Sequence, residues 1–174
     1  MIPLLNASGV LPPFAGGDPA TPGSMSPYPA SMTELTGRFA STPERVDLLS
    51  GLIKYRAALA AAGITNGYQF IDGSFVEACE TLRGRSPRDI DVVTFAYLPV
   101  ARDEVSRFFI ENEAIFTPVR TKVAYKCDAY FVDLGKPPHL IVADVCYWTG
   151  LLSHQRVSAL WKGLLAVPDR KSVV

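Results

Sequence analysis

Two aspartates, Asp89 and Asp91, stand one residue apart in the run DIDVVTFA, whose other members are mostly apolar. Alternate side chains of a β-strand share a face, so both carboxylates would project from one side, with Val93 and Phe95 continuing that face. Carboxylates about 5 to 7 Å apart repel each other even at an effective dielectric constant of about 20. Such a pair is fully ionised only with a cation between its members, and Mg²⁺ or Mn²⁺ suits carboxylate oxygens.

The spacing of the two aspartates is a weak signal by itself. With 17 acidic residues among 174, about 1.6 such acid-x-acid triplets are expected by chance, and Glu111-Asn-Glu113 is a second one. The two glutamates end a helical pattern and are interpreted as solvated. Asp89 and Asp91 instead begin an apolar strand, which makes them the stronger candidates for a metal site.

Gly73 and Ser74 lie upstream, between a short predicted strand at Tyr68–Ile71 and a predicted helix at about Phe75–Leu82. A strand that turns directly into a helix at these residue types presents free amides and a hydroxyl at the positive end of the helix, where phosphate binds favourably. Alternatively, Asp72 and Gly73 form a tight turn and Ser74 only caps the helix. The nearby carboxylate pair favours the phosphate site.

This order of features resembles that of the nucleotidyltransferase superfamily, which includes DNA polymerase beta and minimal bacterial nucleotidyltransferases. The resemblance covers Tyr68 to about Asp133 directly. The whole chain, from GVLPPF to YWTGLL and KGLL, also resembles small bacterial proteins of this type. The resemblance implies that the Gly-Ser turn binds the phosphates of a nucleoside triphosphate. It also implies that Asp89 and Asp91 bind two Mg²⁺ (or Mn²⁺) ions together with a third acid.

The resemblance implies a two-metal mechanism, in which one ion activates an acceptor hydroxyl and the other holds the triphosphate and its leaving group.

The third acid of this mechanism has three candidates. Asp128 is preferred because it lies inside the predicted strand VAYKCDAYFV, where an uncompensated charge is costly. An edge-strand charge facing water is the alternative for this residue. Asp144 comes next, and Asp133, which precedes GKPP, is interpreted as a turn residue.

The loop between Ser74 and Asp89 is longer than in the tightest minimal members of the superfamily, and it contains RGRSPR. Arg85 and Arg88 in this loop are candidates for gripping the triphosphate, because a guanidinium group can donate two parallel hydrogen bonds to phosphate. Solvated loop arginines are the alternative.

The coarse secondary-structure pattern predicts an α/β or α+β fold, with helices flanking a small mixed sheet. Capping boxes at Ser31–Glu34 and Ser41–Glu44 predict two helix starts. The second helix is predicted at 43–62, and another helix at 102–112. Further strands are predicted around 123–133, 140–147 and 163–167. The apolar stripe assigned to the 43–62 helix consists of Val46, Leu49, Ile53, Ala57 and Ala60.

Residues 1–30 hold seven of the 14 prolines and one charged side chain, Asp18. This composition predicts an extended Pro/Gly-rich arm that lies over the domain or over a partner, with a disordered leader equally open. Residues 31–174 are then predicted to form a single nucleotidyltransferase-like domain.

The composition excludes several classes of protein. The 17 basic residues balance the 17 acidic ones, so no long-range field attracts nucleic acid or anionic lipid. Three cysteines without a CxxC pair argue against a disulfide framework and a zinc site. No apolar window of about 18 residues and no basic leader is present, which predicts a cytoplasmic protein without a membrane partner. A catalytic role is not expected for His139 or His154, and Lys162 is interpreted as a solvated surface lysine.

The preferred function is transfer of a nucleoside monophosphate from a nucleoside triphosphate to a hydroxyl of a protein, an RNA or a small molecule. The alternative is a catalytically silent binding protein of the same fold that acts as an antitoxin, a regulator or a complex subunit, with a protein partner or as a homo-oligomer. A metal-dependent phosphohydrolase ranks last, because no histidine ligands have useful spacing.

Overall fold

The two aspartates lie at one end of a five-stranded mixed sheet that has helices on both faces. The computed structural model describes residues 1–16, 18, 20–21, 23–156 and 158–169. The strands in this part of the chain are β1 (Tyr28–Pro29), β2 (Gly67–Asp72), β3 (Ile90–Ala96), β4 (Cys127–Asp133) and β5 (Leu165–Pro168). The helices are α1 (Met32–Phe39), α2 (Pro43–Ala61), α3 (Cys79–Arg83), α4 (Val105–Glu111), α5 (Glu113–Phe116), α6 (Pro118–Tyr125) and α7 (Pro138–Leu152).

The strand order is β1-β5-β2-β3-β4. Strand β2 is antiparallel to both β5 and β3, whereas β4 runs parallel to β3 and β1 runs parallel to β5. The predicted mixed α/β architecture is therefore confirmed. Within the described residues, no helix is both long enough and apolar enough to cross a membrane.

Strand β3 alternates between two hydrophobic clusters, as its sequence predicts. Ile90 and Val92 belong to the larger cluster, which includes Leu52 and Tyr55 of α2. Val93 and Phe95 belong to a smaller cluster on the opposite face, which includes residues of α7. Burial on both faces fixes the register of the strand, because a slip of one residue would exchange the faces of all its side chains.

The predicted long helix is confirmed as α2, but the apolar stripe assigned to it is wrong. Thr42 rather than Ser41 caps the helix and accepts a hydrogen bond from the Arg45 amide. Val46 and Ile53 are 50% and 51% exposed, and Leu49 is the one predicted member that is buried; it is joined by Leu48, Leu52, Tyr55 and Leu59. The helix carries apolar residues around most of its circumference, so packing against the sheet and α6 decides which stripe is buried. The first capping box, at Ser31–Glu34, is confirmed.

Three other predicted elements differ from the structure. The strand predicted around 123–133 begins only at Cys127, because residues 123–125 form the end of helix α6. The predicted helix at 75–82 is broken into a 3₁₀ turn at Ser74–Val76 and the five-residue α3, with Glu77 extended between them. The predicted strand at 140–147 lies within helix α7, whose Pro138 occupies the first helical position. Proline at this position needs no amide partner and is a helix-start signal that outweighs the β-branched residues following it.

The N-terminal segment packs against the domain. Val10 and Leu11 are fully buried, the Leu11 carbonyl accepts a hydrogen bond from the Gly163 amide, and β1 extends the sheet beside β5. Residues 17, 19 and 22 of the predicted arm, and residues 157 and 170–174 of the predicted domain, lie outside the described part.

Gly51 marks the closest approach of α2 to α6. A Cβ atom added there would overlap the carbonyl oxygen of Tyr125. We expect Gly51→Ala to lower the free energy of unfolding by about 1–3 kcal/mol, because backbone must move to make room. Gly37→Ala, on the exposed side of α1 with open space around it, should instead stabilise the protein by about 0.5–1 kcal/mol. Chemical denaturation checks both, and equal effects of the two variants would contradict this account.

Candidate functional site

A row of aspartates crosses three adjacent strands at one end of the sheet. Asp91 pairs with Asp72 of β2 on one side and with Asp128 of β4 on the other. Asp89 lies two residues before Asp91, directly ahead of β3, so it shares the face of Asp91. All four aspartates line one cleft of about 230 Å³. The sequence predicted three members of this row and missed Asp72.

Asp91 carries the electrostatic cost of this arrangement. Burial, followed by the neighbouring charges of Asp89 and Asp128, raises the pKa of Asp91 to about 6. Lys162 and Arg156 partly oppose this rise in pKa. Ionisation of Asp91 is therefore opposed mainly by burial and further by two neighbouring carboxylates, and added positive charge in the cleft would favour its ionised form.

The backbone of Gly73 lies close to the carboxylate of Asp91. It has φ 85° and ψ −168°, and a Cβ atom at this position would lie 2.8 Å from Oδ2 of Asp91. A side chain here would therefore press on the carboxylate, in addition to the strain of a positive φ. Ser74 follows in the cleft lining. Because the element that begins at Ser74 is a single 3₁₀ turn, the helix-dipole part of the predicted phosphate site does not apply.

Lys122 of α6 also lines the cleft and contacts the aspartate row. Its Nζ lies 2.5 Å from Oδ2 of Asp89 and 3.8 Å from Oδ2 of Asp128. The hydrogen bond to Asp89 raises the pKa of Lys122. Among the residues that the structure describes, no three His, Cys, Asp or Glu side chains are placed so that together they could hold a metal ion. As placed, the ammonium group of Lys122 is the cation between the two carboxylates.

The chemistry of the donor set nevertheless fits a hard divalent ion. Asp89, Asp91 and Asp128 offer carboxylate oxygens, which Mg²⁺ and Mn²⁺ prefer as ligands. Burial and the charges of Asp89 and Asp128 raise the pKa of Asp91, and a cation beside this carboxylate would favour its ionised form. Asp89 and Asp128 are 21% and 22% exposed, so solutes can reach them from the cleft.

A buried ion network is connected to the row through Asp72. Lys162 donates to Asp72 and to Glu77 over 2.9–3.0 Å, and all three side chains are at most 4% exposed. The other oxygen of Glu77 accepts hydrogen bonds from Arg83 and Gln155. Burial opposes the charge of Lys162, but the two carboxylates outweigh it and raise the pKa of Lys162. The interpretation of Lys162 as a solvated surface residue is therefore wrong.

The broken helix after Ser74 is explained by Arg45. This buried side chain of α2 donates to the carbonyls of Phe75 and Glu77 over 2.6–2.7 Å and forms a two-bond ion pair with Glu80. These carbonyls are therefore satisfied from outside the segment, which allows the chain to leave helical geometry without leaving them unpaired. The sequence does not distinguish Arg45 from an ordinary polar residue in the first turn of a helix, so this role was not predicted.

The remaining candidates divide by their place in the fold. Arg85 and Arg88 are exposed and lie outside the cleft lining, whereas Arg83, Arg156 and His154 lie within it. Asp133 ends β4 and accepts a hydrogen bond from the Gly135 amide, as a turn residue would.

Asp144 does not join the aspartate row. It lies on α7, where its carboxylate accepts a hydrogen bond from Lys136 at 2.8 Å. Of the three candidates for the third acid, Asp128 is the one that lies beside Asp91.

Comparison with known proteins identifies a family without assigning an activity. No curated protein and no solved structure shows significant similarity to the chain. A family model described as a family of unknown function, DUF6932, matches residues 3–168. The match spans both the N-terminal segment and all five strands of the sheet, so the chain belongs to the DUF6932 family.

Proposed function

We propose that this protein is a Mg²⁺- or Mn²⁺-dependent nucleotidyltransferase, which moves a nucleoside monophosphate from a nucleoside triphosphate to a hydroxyl of a protein, an RNA or a small molecule. The observation that carries the proposal is the register of β3 and β4, which places Asp91 beside Asp128 in one cleft with Asp89 and the Gly73-Ser74 turn. This arrangement combines carboxylates for metal ions with a glycine-serine turn for phosphates.

The residues that would hold the metal ions are Asp89, Asp91 and Asp128. When bound, such ions favour ionisation of the acceptor hydroxyl and neutralise charge on the pyrophosphate leaving group. Ser74 and Arg156 line the same cleft and would bind the phosphates. Arg83 also lines it and would have to exchange its ion pair with Glu77 for phosphate. In the reaction the acceptor hydroxyl loses its proton to solvent and its oxygen bonds to the α-phosphorus. The bond from that phosphorus to the oxygen shared with the β-phosphate breaks, and pyrophosphate leaves.

Transfer of label from NTPs tests the proposal. The protein is incubated with each α-³²P-labelled NTP, Mg²⁺ or Mn²⁺ and cell extract, and labelled protein, RNA and small molecules are separated. Wild type should transfer label, and Asp89→Asn combined with Asp91→Asn should reduce transfer by more than about 100-fold.

The matched control is Asp144→Asn, which removes an acid outside the cleft and should retain transfer. Equal transfer by wild type and the double variant would refute the proposal. Loss of transfer in the Asp144 variant would show that Asp144, rather than Asp128, is the third acid.

A catalytically silent binding protein is the second candidate, and the position of Lys122 favours it. Its ammonium group already pairs with Asp89 and lies near Asp128, as a permanent replacement for a metal ion would. Co-purification with a stoichiometric partner, together with no binding of Mg²⁺-NTP in calorimetry, would support this candidate. Tight binding of Mg²⁺-NTP would count against it.

A further inference from the structure

Lys122 differs from the other lysine of the cleft in its freedom to move. Its side chain is 51% exposed and reaches the aspartate row from the surface helix α6. Lys162 is 4% exposed and is enclosed by Asp72 and Glu77. A half-exposed lysine has a flexible stem and can exchange a carboxylate for water at low cost. Lys122 can therefore leave the row, whereas Lys162 cannot leave without depriving two buried carboxylates, those of Asp72 and Glu77, of their cation.

We propose that Lys122 competes with a divalent cation for the carboxylates of Asp89 and Asp128, so that metal binding requires its ammonium group to move away. The inference rests on the proposed function only in taking the aspartate row as a metal site. Its geometric basis is that a single ammonium group pairs with Asp89 and stands 3.8 Å from Asp128. A metal ion coordinated by both carboxylates would occupy the space that this ammonium group fills, so the two cannot be present together.

The competition lowers the apparent metal affinity by mass action, because part of the protein always has Lys122 on the row. Metal binding would also release the ammonium group of Lys122 from the carboxylates. An ammonium group released from the carboxylates is free to pair with phosphate, so a metal-nucleotide complex should displace Lys122 more readily than the metal alone.

Calorimetry with Mn²⁺ alone tests the competition on the full-length protein. Lys122→Met should bind Mn²⁺ about tenfold more tightly than wild type, because a positive charge within about 4 Å of the ligands is removed. Arg156→Gln is the matched control, since Arg156 lines the same cleft and acts on Asp91 through its charge. It removes one positive charge without freeing Asp89 or Asp128. Equal tightening by both variants, or no tightening by Lys122→Met, would overturn the proposal.

Lysine labelling gives a second measurement that charge removal alone would not affect. Acetic anhydride modifies free amines, and mass spectrometry reports the rate at each lysine. Mg²⁺ should raise the labelling rate of Lys122 severalfold and leave unchanged that of Lys126, which pairs with Asp47. An unchanged rate at Lys122 in protein that binds Mg²⁺ would overturn the proposal.

The outcomes separate this inference from the proposed function. If Lys122→Met binds Mn²⁺ and wild type does not, Lys122 is confirmed as the competitor, and transfer of label from NTPs then decides the enzymatic proposal separately. If both proteins bind with equal affinity, the inference about Lys122 fails and the metal site stands. If neither protein binds Mn²⁺ at millimolar concentration, both proposals fall.

Discussion

Asp91→Asn should abolish binding of divalent ions and, in the same preparation, stabilise the metal-free protein. The partly buried carboxylate of Asp91 has a pKa of about 6 in the folded protein, against 3.8 for an unperturbed aspartate. At pH 7 its ionisation therefore costs the folded state up to about 3 kcal/mol. An amide of nearly the same shape removes this cost, and it also removes the carboxylate at the centre of the proposed metal site.

The pH dependence of this effect has a definite sign. Because the folded-state pKa is raised, the folded protein retains a proton that the unfolded chain loses, and stability falls as the pH rises from about 4 to about 6. The advantage of Asp91→Asn over wild type should be small at pH 4 and fully developed above pH 6. Thermal unfolding without metal measures it, and Asp144→Asn serves as a control that should show no comparable trend.

Added Mn²⁺ should reverse the order of the two proteins. Wild type would gain stability by RT ln(1 + [Mn²⁺]/Kd), whereas Asp91→Asn would gain none. If the asparagine variant is less stable than metal-free wild type at pH 7, or if it binds Mn²⁺ with unchanged affinity, then Asp91 is not the strained central ligand of the row.

The aspartate row was largely predictable because local patterns determine it. The alternation of apolar residues in DIDVVTFA sets the faces of β3, and both hydrophobic clusters agree with that pattern. Asp72 was missed because an aspartate before glycine indicates a turn as readily as a strand end. Its place in the row follows from the antiparallel register of β2 and β3, which is a tertiary property.

The residues that support the row were not predictable for the same reason. Arg45 and Lys162 resemble ordinary polar residues in the sequence, and each acquires its role from partners at least 30 residues away. Helix α7 was mistaken for a strand because Ile141, Val142 and Val145 favour strands, whereas packing of its Leu152 against the sheet stabilises a helix there. Long-range partners decide the roles of Arg45 and Lys162, and a short window of sequence does not contain them. The start of α7 at Pro138 is instead a local signal, to which the prediction gave less weight than to the β-branched residues that follow.

Lys162→Met should destabilise the protein by about 3–5 kcal/mol, the cost of leaving buried charge without its partner. Methionine fills similar space but leaves Asp72 and Glu77 without the ammonium group that lies 2.9–3.0 Å from both. Lys122→Met removes a half-exposed lysine of the same length and should change the free energy of unfolding by no more than about 1 kcal/mol. Urea denaturation of both variants at pH 8 measures the difference.

The deficit of Lys162→Met should shrink in mild acid. Burial raises the pKa of Asp72 to about 7 even with Lys162 present, and removing the lysine removes a charge that opposes this rise. Protonation of Asp72 below that pH relieves the unpaired charge, so the variant should lose less stability at pH 5 than at pH 8, relative to wild type. A deficit independent of pH would instead indicate a packing defect.

Neutralising the acids should rescue the variant. Adding Asp72→Asn and Glu77→Gln to Lys162→Met removes the unpaired charges, and it should recover most of the lost stability because buried ion networks contribute little over neutral groups of similar shape. The triple variant also decides the case in which Lys162→Met fails to fold. If the triple variant unfolds as readily as Lys162→Met, the ion pairs of Lys162 are not what supports the aspartate row.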